Sequence, residues 1–158
     1  MYETRLDLSE TVRNASIALL QARLSDAIDL EAQMKQAHWN VKGKDFFQLH
    51  ELFDKIHGDV EEFVDLIAER ITTLGGVADG RVQTTGKKTS LAEYPLAAVS
   101  GEAHLKAVAA ALGAFGKAVR ADIDKAAEVN DADTADLFTQ ISRETDKQLW
   151  FVEAHLVS

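Results

Sequence analysis

Residues 35–76 read KQAHWNVKGKDFFQLHELFDKIHGDVEEFVDLIAERITTLGG. Phe53, Ile56, Val60, Phe63, Val64, Ile67 and Ile71 recur at helical spacing, so the stretch predicts a long amphipathic helix from about Lys44 to Leu74. Gly75-Gly76 ends it. At about 100° per residue, Asp54 lies about 40° from His50, Asp65 about 60° and Glu69 about 100°. These four polar side chains form one stripe, centred roughly 130° from the apolar one. The stripe therefore faces away from the chain's own core.

Spacing along the helix axis restricts what the stripe can do. His50 and Asp54 stand one turn apart and can share an ion, and so can Asp65 and Glu69. Asp54 and Asp65 are roughly 16 Å apart along the axis, too far to reach one metal from one helix. Two copies packed antiparallel about a twofold, crossing near Asp59 and Val60, bring His50 and Asp54 of one chain to Asp65 and Glu69 of the other. Such an interface builds two identical sites. His38, just before the turn into this helix, is expected beside His50. Two imidazoles and three carboxylates without thiolate suit Fe(II), Mn(II) or Zn(II). A solvated polar face is the competing reading, and it fits Glu51, Asp59 and Glu62. His57 shares the stripe as a surface residue or an auxiliary ligand, with the surface reading slightly favoured.

The rest of the chain reads as helix too. One proline in 158 residues and abundant Ala, Leu, Glu, Asp and Lys predict an all-α protein. A first helix spans about Ser9 to Ala37 with Ser9 as N-cap, a third about Gly101 to Val129, and a fourth about Ala132 to Leu156. Residues 75–100 form the one long connection, with a short extra helix expected within LAEYPLAAV, residues 91–99. Short, long and short links give a ferritin-like four-helix bundle with one long crossover, as a single domain over 1–158. With no apolar run of 18 residues and no signal-peptide pattern, a cytoplasmic protein without membrane contact is expected. The absence of cysteine excludes disulfides, thiolate metal sites and a cysteine nucleophile. A formal net charge of −9 disfavours capture of DNA and anionic lipid.

The segment 35–76 resembles the signature region of the Dps family, the DNA-binding proteins from starved cells, a branch of the ferritin-like superfamily. The spacing of His38, His50, Asp54, Asp65 and Glu69 matches that family's ferroxidase pattern at every position, and DTADLFTQISRETDKQLWFVEAHL, residues 133–156, looks like its last helix. The resemblance implies a homo-dodecameric shell that binds Fe(II) at twofold interfaces, oxidises it with hydrogen peroxide in preference to dioxygen, and stores Fe(III) as mineral. It implies that His38, His50 and Asp54 come from one subunit and Asp65 and Glu69 from its mate. Zinc fits the same ligands and would inhibit oxidation. The resemblance also places Trp39 near the iron, as an interface indole or a sacrificial electron donor. Asp131 and Asp136 become candidates for acidic pores that admit Fe(II), alongside the simpler role of capping the last helix.

Three other readings compete. A DNA-compacting protein would commonly use a Lys/Arg-rich tail. Here Arg5 is offset by Glu3 and Asp7, the EAHLVS end is uncharged by Lys or Arg, and Lys42, Lys44, Lys87 and Lys88 read as solvated loop charges, so DNA binding is expected to be weak or absent. A di-iron enzyme would need inward-facing Glu-x-x-His motifs, and no Glu has His at i+3. A purely structural bundle would use none of the stripe. His104 and His155 have no partner spacing and read as structural.

Overall fold

The computed structural model describes residues 1–157. Five helices follow one another: α1 (Glu10–Asn40), α2 (Phe46–Thr73), α3 (Val82–Lys88), α4 (Gly101–Glu128) and α5 (Ala132–Glu153). The sequence marks most of the boundaries. The Ser9 side chain accepts from the Val12 N–H and opens α1, and Ser100 does the same for α4 from the Ala103 N–H. At the end of α2, Gly75 adopts φ +86° and lets the chain reverse.

The hairpin α1–α2 packs beside the hairpin α4–α5, with α1 against α4 and α2 against α5. Leu20, Leu24, Leu30 and Met34 of α1 meet Phe53, Ile56, Val60, Ile67 and Ile71 of α2, Leu112, Phe115 and Val119 of α4, and Phe138, Ile141 and Val152 of α5 in one continuous core. Because α2 is about 42 Å long, α4 can start where it does only if the connection travels back along the bundle. Residues 74–100 do this, which is the expected crossover. Among the described residues, no helix is long and apolar enough to cross a membrane.

The short crossover helix is misplaced by sequence reasoning. It forms over Val82–Lys88, whereas residues 91–99 are non-helical. Pro95 interrupts helical hydrogen bonding there, and Leu91 and Tyr94 are turned into the core instead. The actual helix contains weak formers but is anchored by Asp79, which accepts from the Arg81 N–H and guanidinium and from the Thr84 hydroxyl. Gln21 of α1 in turn clamps Asp79 through both its backbone N–H and its carbonyl.

Candidate metal centre

The turn 41–45 between α1 and α2 fixes the two imidazoles. Val41 is buried, the Lys42 N–H donates to the Val99 carbonyl, and Gly43 takes φ +122°, a conformation that L side chains rarely adopt. His38 thereby lies in the last turn of α1 opposite His50 in α2. Their contact is reciprocal: His38 Nδ1 donates to the His50 carbonyl at 2.7 Å and His50 Nδ1 donates to the His38 carbonyl at 2.9 Å. The rings stack with centroids 3.6 Å apart and planes 19° from parallel. Since a carbonyl can only accept, both rings carry hydrogen on Nδ1, and both Nε2 lone pairs are left as donors to a cation. Fixing the tautomer and ring plane through the distal nitrogen is how proteins commonly prepare a metal-binding histidine. The expected pairing of His38 with His50 is thus what the fold produces.

Asp54 lies one turn beyond His50, and its carboxylate bonds the Lys35 ammonium. That hydrogen bond holds the Asp54 carboxyl below the usual carboxylate range, against a smaller opposing effect of burial. Asp65 and Glu69 are exposed further along the same face and make no side-chain hydrogen bond or ion pair among the described residues. Nor do any three Asp, Glu or His side chains among those residues converge on one metal position. In one chain Asp65 and Glu69 thus stand apart from His38, His50 and Asp54, as the helical spacing requires.

Sequence reasoning missed Lys35 and Glu31. Lys35 precedes His38 by one helical turn, a spacing that puts both on one face of α1, but a lysine is no ligand and the signal went unused. His57 turns toward α1, with Nδ1 donating to the Glu31 carbonyl at 3.3 Å and lying 3.9 Å from the Glu31 carboxylate. Burial pushes the Glu31 carboxyl up, His57 pulls it back, and Glu61 adds to the rise.

Asp131 does not line an open surface. It is 1% exposed, caps α5 through the Thr134 N–H and hydroxyl, and pairs with the Arg70 guanidinium at 2.8 Å. Burial alone would raise its carboxyl, but the nearby Ser16 hydroxyl, the hydrogen bonds from Thr134 and the Arg70 charge outweigh that and hold it low. Of the two roles expected for Asp131, the single chain displays the cap, joined by a buried ion pair with Arg70. Asp136 is exposed beside a shallow concavity formed with Asn130, Ala135 and Thr139. Trp39 is 68% exposed next to His38, where a second chain could cover it. Lys42, Lys44, Lys87 and Lys88 are exposed. His155 donates Nδ1 to the Phe151 carbonyl at 2.7 Å, a C-terminal helix contact. His104 is buried, with its ring against Tyr94.

A bundle of two helical hairpins joined by one long crossover defines a ferritin-like fold. The ferritin-like domain family matches residues 17–158. A DNA protection during starvation protein of Agrobacterium fabrum is 39% identical over 98% of this chain and 96% of its own length. Dps of Mycobacterium smegmatis superposes with TM-score 0.94 at 32% identity, covering 99% of this chain and 96% of that one. Dps from Microbacterium arborescens in the high iron form gives TM-score 0.90 at 35% identity, covering 97% and 99%. This chain belongs to the Dps family of ferritin-like proteins. The family's function, iron oxidation and storage, comes with that membership.

Proposed function

We propose that the chain, acting as one domain, is a ferroxidase whose sites form between two subunits. His38, His50 and Asp54 of one subunit bind Fe(II) together with Asp65 and Glu69 of its mate. The observation that carries this reading is the reciprocal His38–His50 lock, which leaves both Nε2 atoms without a protein partner, one helical turn from Asp54, in a chain that by itself gathers too few ligands for a metal. Nitrogen and carboxylate donors accept Fe(II), and the carboxylates stabilise the extra charge of Fe(III). Two Fe(II) ions give one electron each to hydrogen peroxide, which becomes two hydroxide ions, so no hydroxyl radical is released. Ferric mineral then collects inside a twelve-subunit shell in the cytoplasm, and the protein limits oxidative damage. Zinc competes for the same ligands.

Gly58 supports the twofold arrangement. It lies midway between the half-sites, is exposed, and a Cβ there would meet nothing within 4 Å. A glycine inside an exposed helix costs about 1 kcal/mol relative to alanine, and close approach of a second α2 gives that cost a purpose. A net charge of −9 attracts cations rather than nucleic acid, so direct DNA binding is weak. Anaerobic Fe(II) titration followed by peroxide tests the proposal. Ferric absorbance should develop with peroxide and be suppressed by prior zinc; failure to oxidise Fe(II) would reject it.

A further inference from the structure

Among the buried titratable groups that the ferroxidase reading leaves unused are a tyrosine and a histidine in direct contact. Tyr94 is 8% exposed and His104 1% exposed, and the Tyr94 hydroxyl lies 2.7 Å from His104 Nδ1. The carbonyls of Asn40 and Ala98 face the same imidazole, although neither completes a hydrogen bond to Nε2. Carbonyls favour hydrogen on Nε2, which leaves Nδ1 as the acceptor and makes the phenol the donor. Burial pushes the phenol up and the imidazole down, so the resting pair is neutral.

His104 touches both elements that carry the proposed ligands. Its ring lies 6.4 Å from that of Phe53, the residue before Asp54. The Asn40 carbonyl that faces it is two residues beyond His38. The other tyrosine differs in the feature that matters. Tyr2 is 56% exposed and its hydroxyl donates to the Thr72 carbonyl at 2.6 Å, which is no base and cannot keep a proton. Of the two tyrosines, only Tyr94 has a proton acceptor in place.

We propose that Tyr94 and His104 form a proton-coupled electron reserve for the metal centre, used when a single Fe(II) meets hydrogen peroxide. The proposal rests on the ferroxidase reading. Peroxide needs two electrons to become two hydroxide ions, and one Fe(II) supplies one. With no second donor the O–O bond breaks into hydroxide and hydroxyl radical. Here Tyr94 supplies the second electron and its phenolic proton passes to His104 Nδ1. The products are Fe(III), two hydroxide ions, a neutral Tyr94 phenoxyl radical and a His104 imidazolium, whose Nε2–H faces the Asn40 and Ala98 carbonyls. A later Fe(II) returns the electron, the proton goes back to the phenolate oxygen, and the pair is restored. Burial keeps the radical away from solvent in the interval.

The test uses the assembled protein, loaded anaerobically with less than one Fe(II) per site, mixed with hydrogen peroxide and frozen for electron paramagnetic resonance. A tyrosyl signal is expected that narrows when the protein carries ring-deuterated tyrosine. Tyr94→Phe removes one hydroxyl and should abolish the signal while spin-trapped hydroxyl radical rises several-fold. His104→Gln, which keeps the phenol and removes the base, should also lose most of the signal. Iron oxidation without a tyrosyl signal, a signal that survives Tyr94→Phe, or a radical on Trp39 instead would overturn the relay and leave the ferroxidase reading standing. Absence of iron oxidation in the unmodified protein would overturn both.

Discussion

Replacing Lys35 with glutamine keeps much of the side chain and removes its charge. In the present structure the Lys35 ammonium occupies one oxygen of Asp54, one of the proposed iron ligands. A divalent ion on the other carboxylate oxygen would sit about 5 Å from that ammonium. The repulsion between them is roughly 2 kcal/mol at the dielectric of water and several times more at the value suited to a protein surface. The side chains of Lys35 and Asp54 are 29% and 47% exposed in the single chain, so the aqueous value is the lower limit for the assembled protein. Lys35→Gln should therefore tighten metal binding by roughly tenfold or somewhat more, 1.4 kcal/mol being about a factor of ten. The gain should shrink as salt rises, because the screening length falls from about 10 Å at 0.1 M to about 3 Å at 1 M. Calorimetric titration of the assembled apoprotein with Zn(II), and anaerobically with Fe(II), reads the change directly. Unchanged or weaker binding at low salt would refute the reasoning and show that Lys35 holds Asp54 in place rather than competing with the metal.

Other outcomes follow from the same geometry. Asp131→Ala removes a cap and leaves the Arg70 guanidinium, 14% exposed, without its partner; a cost of about 3 kcal/mol is expected, read as a lower melting temperature. Because the Asp131 carboxyl is held low in the folded chain, its contribution to stability is complete above the ordinary carboxylate range and drains as pH falls through the lower folded value. Acid unfolding of Asp131→Ala should accordingly be less steep than that of the parent. Gly43→Ala forces a Cβ onto a backbone at φ +122°, costing about 1–3 kcal/mol, and should weaken Zn(II) binding because the turn sets His38 against His50. Gly58→Leu should leave the monomer folded, since nothing within 4 Å opposes the new side chain, yet reduce assembly in sedimentation.

How much was legible from sequence depended on whether the cause was local. The helices could be read because their apolar periodicity, serine caps and terminal glycines lie within a few residues of what they determine. The His50–Glu69 stripe was visible because helical angles follow from numbering alone. The crossover helix was expected but misplaced because its anchor is tertiary: Gln21 on α1 holds Asp79, and Asp79 holds Arg81 and Thr84. The Asp131 cap was legible, but its ion pair was not, since Arg70 lies on a different helix. The Tyr94–His104 contact joins the crossover to α4 across a proline, and no periodicity announces it. The His38–His50 lock was expected as proximity only; its reciprocity depends on how Val41 and Gly43 shape the turn.

The central claim is that each metal centre takes its ligands from two chains, and mixing two inactive variants tests it most directly. His50→Ala and Glu69→Ala subunits are co-expressed and the mixed assemblies are assayed for Fe(II) oxidation by peroxide. Each variant alone should be inactive. In a mixed dimer one site carries both defects and the other carries neither, so random pairing should restore about a quarter of the normal sites. Mixed assemblies as inactive as their parents, with pairing confirmed by mass, would contradict the shared site.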